Sequence, residues 1–270
     1  MRAVIAALAA TVSFASLATA ADLPVRTAPP AIPAIVPFTW TGAYVGVNAG
    51  WMWGRSAGQL RVPALVNGAA NAINAQATNL ALMAGNQSHD VNGFTGGLTL
   101  GYNYQINAMV LGVEGDINYI GLNKSYTGPI QTITQSARAI DKIDGSLLAS
   151  LRLRAGYAFD RSLIYVTGGV AFTDAKFKRS LDWTFADACP AAALGVRCHT
   201  GSGSYQAGWT LGAGYEHAFT NNLTAKFEYL YTDFGSAKFT STNAGIAGQQ
   251  LNHSAKLNFH TVRAGINYKF

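Results

Sequence analysis

Residues 94–105 read FTGGLTLGYNYQ. In an extended chain this places Phe94, Leu98, Leu100, Tyr102 and Tyr104 on one face and Thr95, Gly97, Thr99, Gly101, Asn103 and Gln105 on the other, because successive side chains of a strand point to opposite sides. One face is apolar and the other small and polar, the period-two signature of a half-buried strand. The pattern returns further along. Leu147, Ala149, Leu151, Leu153, Tyr157 and Phe159 oppose Ser150, Arg152, Arg154 and Gly156. Leu223, Ala225, Phe227, Tyr229 and Tyr231 oppose Thr224, Lys226, Glu228 and Thr232. Val262, Ala264, Ile266, Tyr268 and Phe270 oppose Arg263, Gly265, Asn267 and Lys269.

Working outward from these segments gives eight strand candidates, at residues 42–51, 94–105, 109–119, 145–159, 163–175, 205–219, 223–234 and 257–270. Three connections are tight, at 106–108, 160–162 and 220–222, and their Asn and Asp residues suit turns. Four are long, at about 52–93, 120–144, 176–204 and 235–256, well beyond hairpin length. Long and short alternate, so an antiparallel up-and-down meander carries four long loops at one end. Three tight turns and both termini lie at the other. The expected class is all-β, an eight-stranded antiparallel up-and-down transmembrane barrel of the outer-membrane type, with the long loops extracellular and the tight turns periplasmic.

Composition narrows the alternatives. Of 270 residues, 49% are hydrophobic, 11% aromatic and only 12% charged, with 29 glycines. Disordered chains are rich in charge and poor in aromatics, and helical bundles are built from Ala, Glu, Lys, Leu and Arg, so both are excluded. Beyond the leader no apolar run is long enough for a spanning helix.

A soluble barrel also alternates, so the choice of lipid outside rests on other features. The polar face is rich in Gly, Ser, Thr and Asn, which suits the narrow interior of an eight-stranded barrel. As a water-facing exterior it is under-charged. Its charges come in both signs: Glu114, Asp116, Glu216 and Glu228 stand against Arg152, Arg154, Lys226, Arg263 and Lys269, and pairing offsets the cost of enclosing them. Aromatics gather in two belts on the apolar face. Tyr102, Tyr104, Phe159, Tyr215, Phe219, Tyr268 and Phe270 fall toward the tight turns. Trp51, Phe94, Tyr119, Phe172, Tyr229, Tyr231 and Phe259 fall toward the long loops. Two girdles around an apolar band describe an outer-membrane barrel, and closure leaves no backbone edge in hydrocarbon.

Residues 1–20 read as a cleaved secretory signal, with Arg2, a short apolar core and Ala18-Thr19-Ala20. Residues 21–39 hold five of the eight prolines and read as an extended periplasmic linker, and residues 40–270 as the barrel. In an exported chain Cys189 and Cys198 are expected to form a local disulfide. Without Arg2 the balance is 18 basic to 13 acidic residues, and no cluster of the kind that tracks phosphates points to nucleic acid.

The residues then resemble a known family, the small alphaproteobacterial outer-membrane β-barrel (porin-like) proteins of the RopB and outer-membrane immunogenic protein type. The resemblance is carried by Ala21-Asp22-Leu23-Pro24, by the run from Trp40 to Gly50, by Val113-Glu114-Gly115-Asp116 and by the ending Val262 to Phe270. It implies a place in the outer membrane and a C-terminal aromatic signal, Tyr268 and Phe270, read by the insertion machinery. It leaves the long loops individual, and some relatives are described as haemin-binding.

His89, His199 and His253 fall in three different long loops and are the candidates for a metal or haem contact, but no two stand at ligand spacing. His217 and His260 are expected at the membrane interfaces. No strand offers Ser, His and an acid within mutual reach, so neither catalysis nor a cofactor is expected. The expected role is an integral envelope protein that presents surface loops, with outer-membrane lipid around it and the cell wall or a host surface as further partners. A narrow porin, and an adhesin or haem binder acting through the loops, are the alternatives.

Overall fold

The computed structural model describes residues 38–66, 69–70, 88–132, 135–183, 199–243 and 250–270. The signal and linker assignments for 1–37 lie outside these residues, as do Cys189 and Cys198. Twelve strands follow in order: β1 (Gly42–Arg61), β2 (Leu65–Val66), β3 (Ala69–Ala70), β4 (Ser88–Ile106), β5 (Met109–Thr132), β6 (Gln135–Phe159), β7 (Ser162–Thr173), β8 (Lys176–Trp183), β9 (His199–Ser204), β10 (Ala207–Ala218), β11 (Leu223–Asn243) and β12 (Gln250–Lys269).

Eight of them, β1, β4, β5, β6, β7, β10, β11 and β12, pair with their neighbours in that order, all antiparallel. The β1–β12 ladder, from Tyr44↔Lys269 to Arg61↔Asn252, closes the ring. The outward face is apolar through the membrane-crossing part: Leu98 is 66% exposed, Ile117 60% and Leu153 71%, while Thr99 and Asn103 on the other face of β4 are buried. The tight turns sit where the sequence places them. Asn107 and Asp160 take φ of 54° and 53°, the left-handed region that Asn and Asp tolerate better than other side chains. In the third turn the Thr220 hydroxyl accepts from the Leu223 amide at 2.9 Å.

The expected long loops differ most from the structure. Much of 52–93, 120–144, 176–204 and 235–256 is strand, so the sheet continues beyond the outer girdle. The physical reason is an exchange of solvent. Along β12 the inward residues run Asn267, Arg263 and Thr261, then Phe259, Leu257 and Ala255. The outward ones run Ile266, Ala264 and Val262, then Asn258, Lys256 and Ser254. The alternation keeps its phase while its polarity reverses: apolar outside in lipid, apolar inside above it. Phe259 therefore points into the barrel and is 1% exposed, a correction to its place in the outer girdle. Trp53 and Trp209 stand on the outer face instead, and His260 lies 5.9 Å from Trp53 in a stacked arrangement.

Two bulges accommodate the change, between Tyr119 and Leu122 and between Asp233 and Ser236. At the second, Gly235 takes φ +65°, a conformation that costs glycine little, and the extra residue keeps the apolar side chains pointing inward. Above Thr95↔Ile120 the β4–β5 ladder stops, while β4 stays paired with β1 and β5 with β6. The resulting seam is bridged by side chains: Tyr126 stacks on His89 at 4.2 Å and donates to the Asp90 carbonyl. Pro129, read from sequence as a loop residue, lies within β5. It is tolerated there because this part of β5 has β6 on one side and no ladder on the other among the described residues.

The polarity reversal is testable by the same substitution at two heights. Leu151→Lys, on the lipid face, is expected to destabilise the barrel by about 2–4 kcal/mol. Ser236→Lys, on the outward face above the girdle, should change stability by less than about 0.5 kcal/mol. Urea unfolding in lipid vesicles reads both.

Candidate functional site: the barrel interior

The inward positions of β5, β6, β10, β11 and β12 bring eight charged side chains into one layer. Arg152 lies against three carboxylates: it donates through Nη2 to Glu114 and, at 2.9 Å, to Asp116, with Nη1 3.5 Å from Glu228. Arg154 reaches Glu216 at 2.7 Å. Lys226 reaches Glu114 at 2.7 Å, and Arg263 reaches Glu228 at 2.8 Å and Asp116 at 3.2 Å. Four cations thus face four carboxylates, so the layer is neutral, and all eight side chains are at most 3% exposed.

Two tyrosines that the strand pattern did not single out complete it. The Tyr44 hydroxyl donates to Glu114 at 2.7 Å and the Tyr165 hydroxyl to Glu228 at 2.8 Å. The Arg154 guanidinium lies 3.9 Å from the Tyr165 ring centroid, within cation–π range. Glycine makes the room: a Cβ on Gly101 would strike the Tyr44 ring, and one on Gly214 the Tyr165 ring. The available signal was parity, since Tyr44 shares its face with Asn48 and both are buried.

Lys269 is a correction to the expected network. It sits at the tight-turn end, where its ammonium donates to the Thr39 carbonyl and lies 4.8 Å from the Phe38 ring. Trp40, 1% exposed, closes this mouth together with Val110, Ala158, Leu163, Tyr165 and Ala218, and its amide donates to Gln105 at 2.7 Å.

On the other side of the ionic layer the interior turns apolar. Met52, Val91, Ile120, Leu122, Ile143, Phe177, Phe234, Leu257 and Phe259 are all buried in one cluster, with the Phe234 and Phe259 rings 5.8 Å apart. Beyond it lies a second ionic group. Arg179 grips Asp141 through two bonds of 2.6 and 2.5 Å, and His89 Nε2 is 2.9 Å from the same carboxylate. Neither Asp141 nor Arg179 was foreseen, because both lie in a segment read as loop.

The histidines are distributed among separate contacts. His89 belongs to the Asp141 group. His253 stacks on Phe239 at 4.8 Å and shares a 2.7 Å hydrogen bond with Ser241. His199 is placed by its backbone, opposite Leu181 and Asn243. Among the described residues no group of three or more His, Cys, Asp or Glu is arranged to hold a metal ion. His260 shares a 2.6 Å hydrogen bond with Tyr229. His217 shares one of 3.0 Å with Ser162, and no carboxylate bonds to that imidazole among the described residues.

The comparisons with known proteins bear on this geometry. The profile of the outer membrane protein beta-barrel domain matches residues 6–270. The chain belongs to this family. It is 36% identical over 261 residues to the 31 kDa outer-membrane immunogenic protein of Brucella melitensis, covering 95% of each chain. It is 27% identical over 266 residues to the 25 kDa outer-membrane immunogenic protein of Brucella canis, covering 97% of this chain and 95% of that one. Among solved structures, the outer membrane protein OprG from Pseudomonas aeruginosa overlaps with a TM-score of 0.43 at 11% identity, covering 85% of this chain and 96% of that one. The protein is accordingly an outer-membrane β-barrel.

The ionic layer makes a direct prediction. Arg263→Met leaves Glu228 and Asp116 under-compensated and should cost about 3–5 kcal/mol in urea unfolding. Adding Glu228→Leu should recover most of that loss, because a buried pair exchanged for apolar side chains is roughly neutral.

Proposed function

We propose that the protein is a sealed, non-conducting barrel that anchors an ordered extracellular extension in the outer membrane and contributes to the integrity of the envelope. The carrying observation is the sequence of layers across the lumen: an apolar closure around Trp40, a neutral ionic layer, and an apolar layer around Phe234, Leu257 and Phe259. An ion crossing this path would have to leave water for a dry apolar layer, at a cost of several kcal/mol. The narrow-porin reading requires a continuous polar column, which the apolar layer interrupts. Catalysis gains no support either, since the Ser162–His217 pair lacks an orienting acid among the described residues.

Two partners follow from the wall. Outer-membrane lipid covers the apolar band. Tyr268 at the end of the closing strand and Phe270 just after it, 50% and 71% exposed, are the features an insertion machinery would read.

In planar bilayers the folded protein is expected to give no steady single-channel openings at physiological salt. Large, long-lived openings from heat-modifiable, correctly folded protein would refute the sealed reading.

A further inference from the structure

The outward face of the extension carries a polar groove that the sealed-barrel reading does not use. It has a volume of about 630 Å³; Phe239 and His253 contribute to its lining, and its outward-facing lining is Gln59 and Arg61 of β1, Lys238 and Thr240 of β11, and Asn252 and Ser254 of β12. The ladders set these six residues in two rungs across three adjacent strands. Gln59, Ser254 and Lys238 form one rung, and Arg61, Asn252 and Thr240 the next.

No acidic residue lines the groove. Elsewhere on this face Arg55 pairs with Asp90 at 3.3 Å, Lys142 with Asp144 at 3.2 Å and Lys256 with Asp233 at 3.4 Å, while Lys176 and Lys178 lack an acidic partner among the described residues but do not line the groove. Arg61 and Lys238 are exposed and have no acidic partner among the described residues. They stand at diagonal corners of the tile, roughly 12 Å apart across two strand spacings and two residues along. Between them lie an amide and a hydroxyl from each rung. Two cations flanking neutral hydrogen-bonding groups suit a chain of sugars with acidic substituents, in which anionic groups alternate with hydroxyls.

Height and direction select the source. Arg61 lies eight residues beyond Trp53 of the outer girdle along β1, roughly 20 Å at about 3.3 Å per residue on a tilted strand. That is too far for lipid phosphates at the hydrocarbon boundary. The groove opens sideways from the wall, toward whatever stands up from the surrounding leaflet. We infer that this groove binds the acidic saccharide portion of the outer leaflet's own glycolipid. The inference rests on the extension facing outward.

The test uses the full mature chain folded in detergent micelles, titrated with lipopolysaccharide bearing an acidic core and followed by native mass spectrometry. Because micelles expose both ends of the barrel, a missing signal speaks of the groove and not of which way the barrel stands. Saturable, salt-sensitive binding is expected. The double variant R61Q/K238Q should bind roughly tenfold more weakly, the loss of two exposed ion contacts. The variant K176Q/K178Q removes equal charge elsewhere on the outward face and should bind like wild type. Heat-modifiability on a gel verifies that both variants fold. Equal loss in the two variants would reduce the effect to diffuse charge and overturn the inference. Equal binding of lipid A lacking the core sugars would move recognition to the headgroup phosphates and overturn it as well. Equally tight binding of free polygalacturonate would assign the groove to soluble polymers rather than to the leaflet.

Discussion

In hydrocarbon every backbone N–H and C=O must find its partner inside the protein, and this one constraint shapes the rest of the molecule. It requires the β1–β12 ladder, since any open edge would face lipid. Closure of eight strands leaves a lumen narrow enough for side chains to fill. The inward side chains must then fill that space with one another. Charges placed there must be balanced, as four cations are against four carboxylates. Once the strands leave the membrane the constraint relaxes. Water can satisfy edges and polar surfaces outside, and the interior reverts to the apolar packing of a soluble protein.

The two interiors depend on each other. A neutral ionic layer is costly to assemble, because several ions give up their hydration together. It becomes tolerable when each carboxylate has more than one donor. Glu114 receives Tyr44, Arg152 and Lys226, and Glu228 receives Tyr165 and Arg263. The apolar layer above, with Phe234 and Phe259 at its contact, keeps water from competing for those bonds from the side of the extension. The closure around Trp40 does the same at the tight-turn end.

The membrane-crossing strands were legible because their alternation is strong and of one sense. Leu98, Leu151 and Phe227 mark lipid, while Thr99, Arg152 and Glu228 mark the lumen. The extension was not legible. Its residues alternate just as strictly, but with Ile143 and Phe177 inward and Lys142 and Lys178 outward, so a reader seeking one polarity finds loop. Arg179 and Asp141, whose pairing depends on the β6–β8 register, were hidden for that reason. Phe259 was misplaced because it lies within two residues of the level at which the polarity reverses. Tyr44 and Tyr165 escaped because their inward position follows from parity, while their residue type suggests a girdle.

The seam between β4 and β5 has a mechanical meaning. A closed tube resists twisting through its whole circumference, whereas a tube slit along its length yields readily in torsion. Among the described residues the barrel is of the first kind within the membrane and, along this seam, of the second kind above it. Cut edges held by the Tyr126–His89 stack can slide past each other without breaking a backbone ladder. The extension can therefore deform or accommodate inserted residues while the part embedded in lipid keeps its circumference fixed.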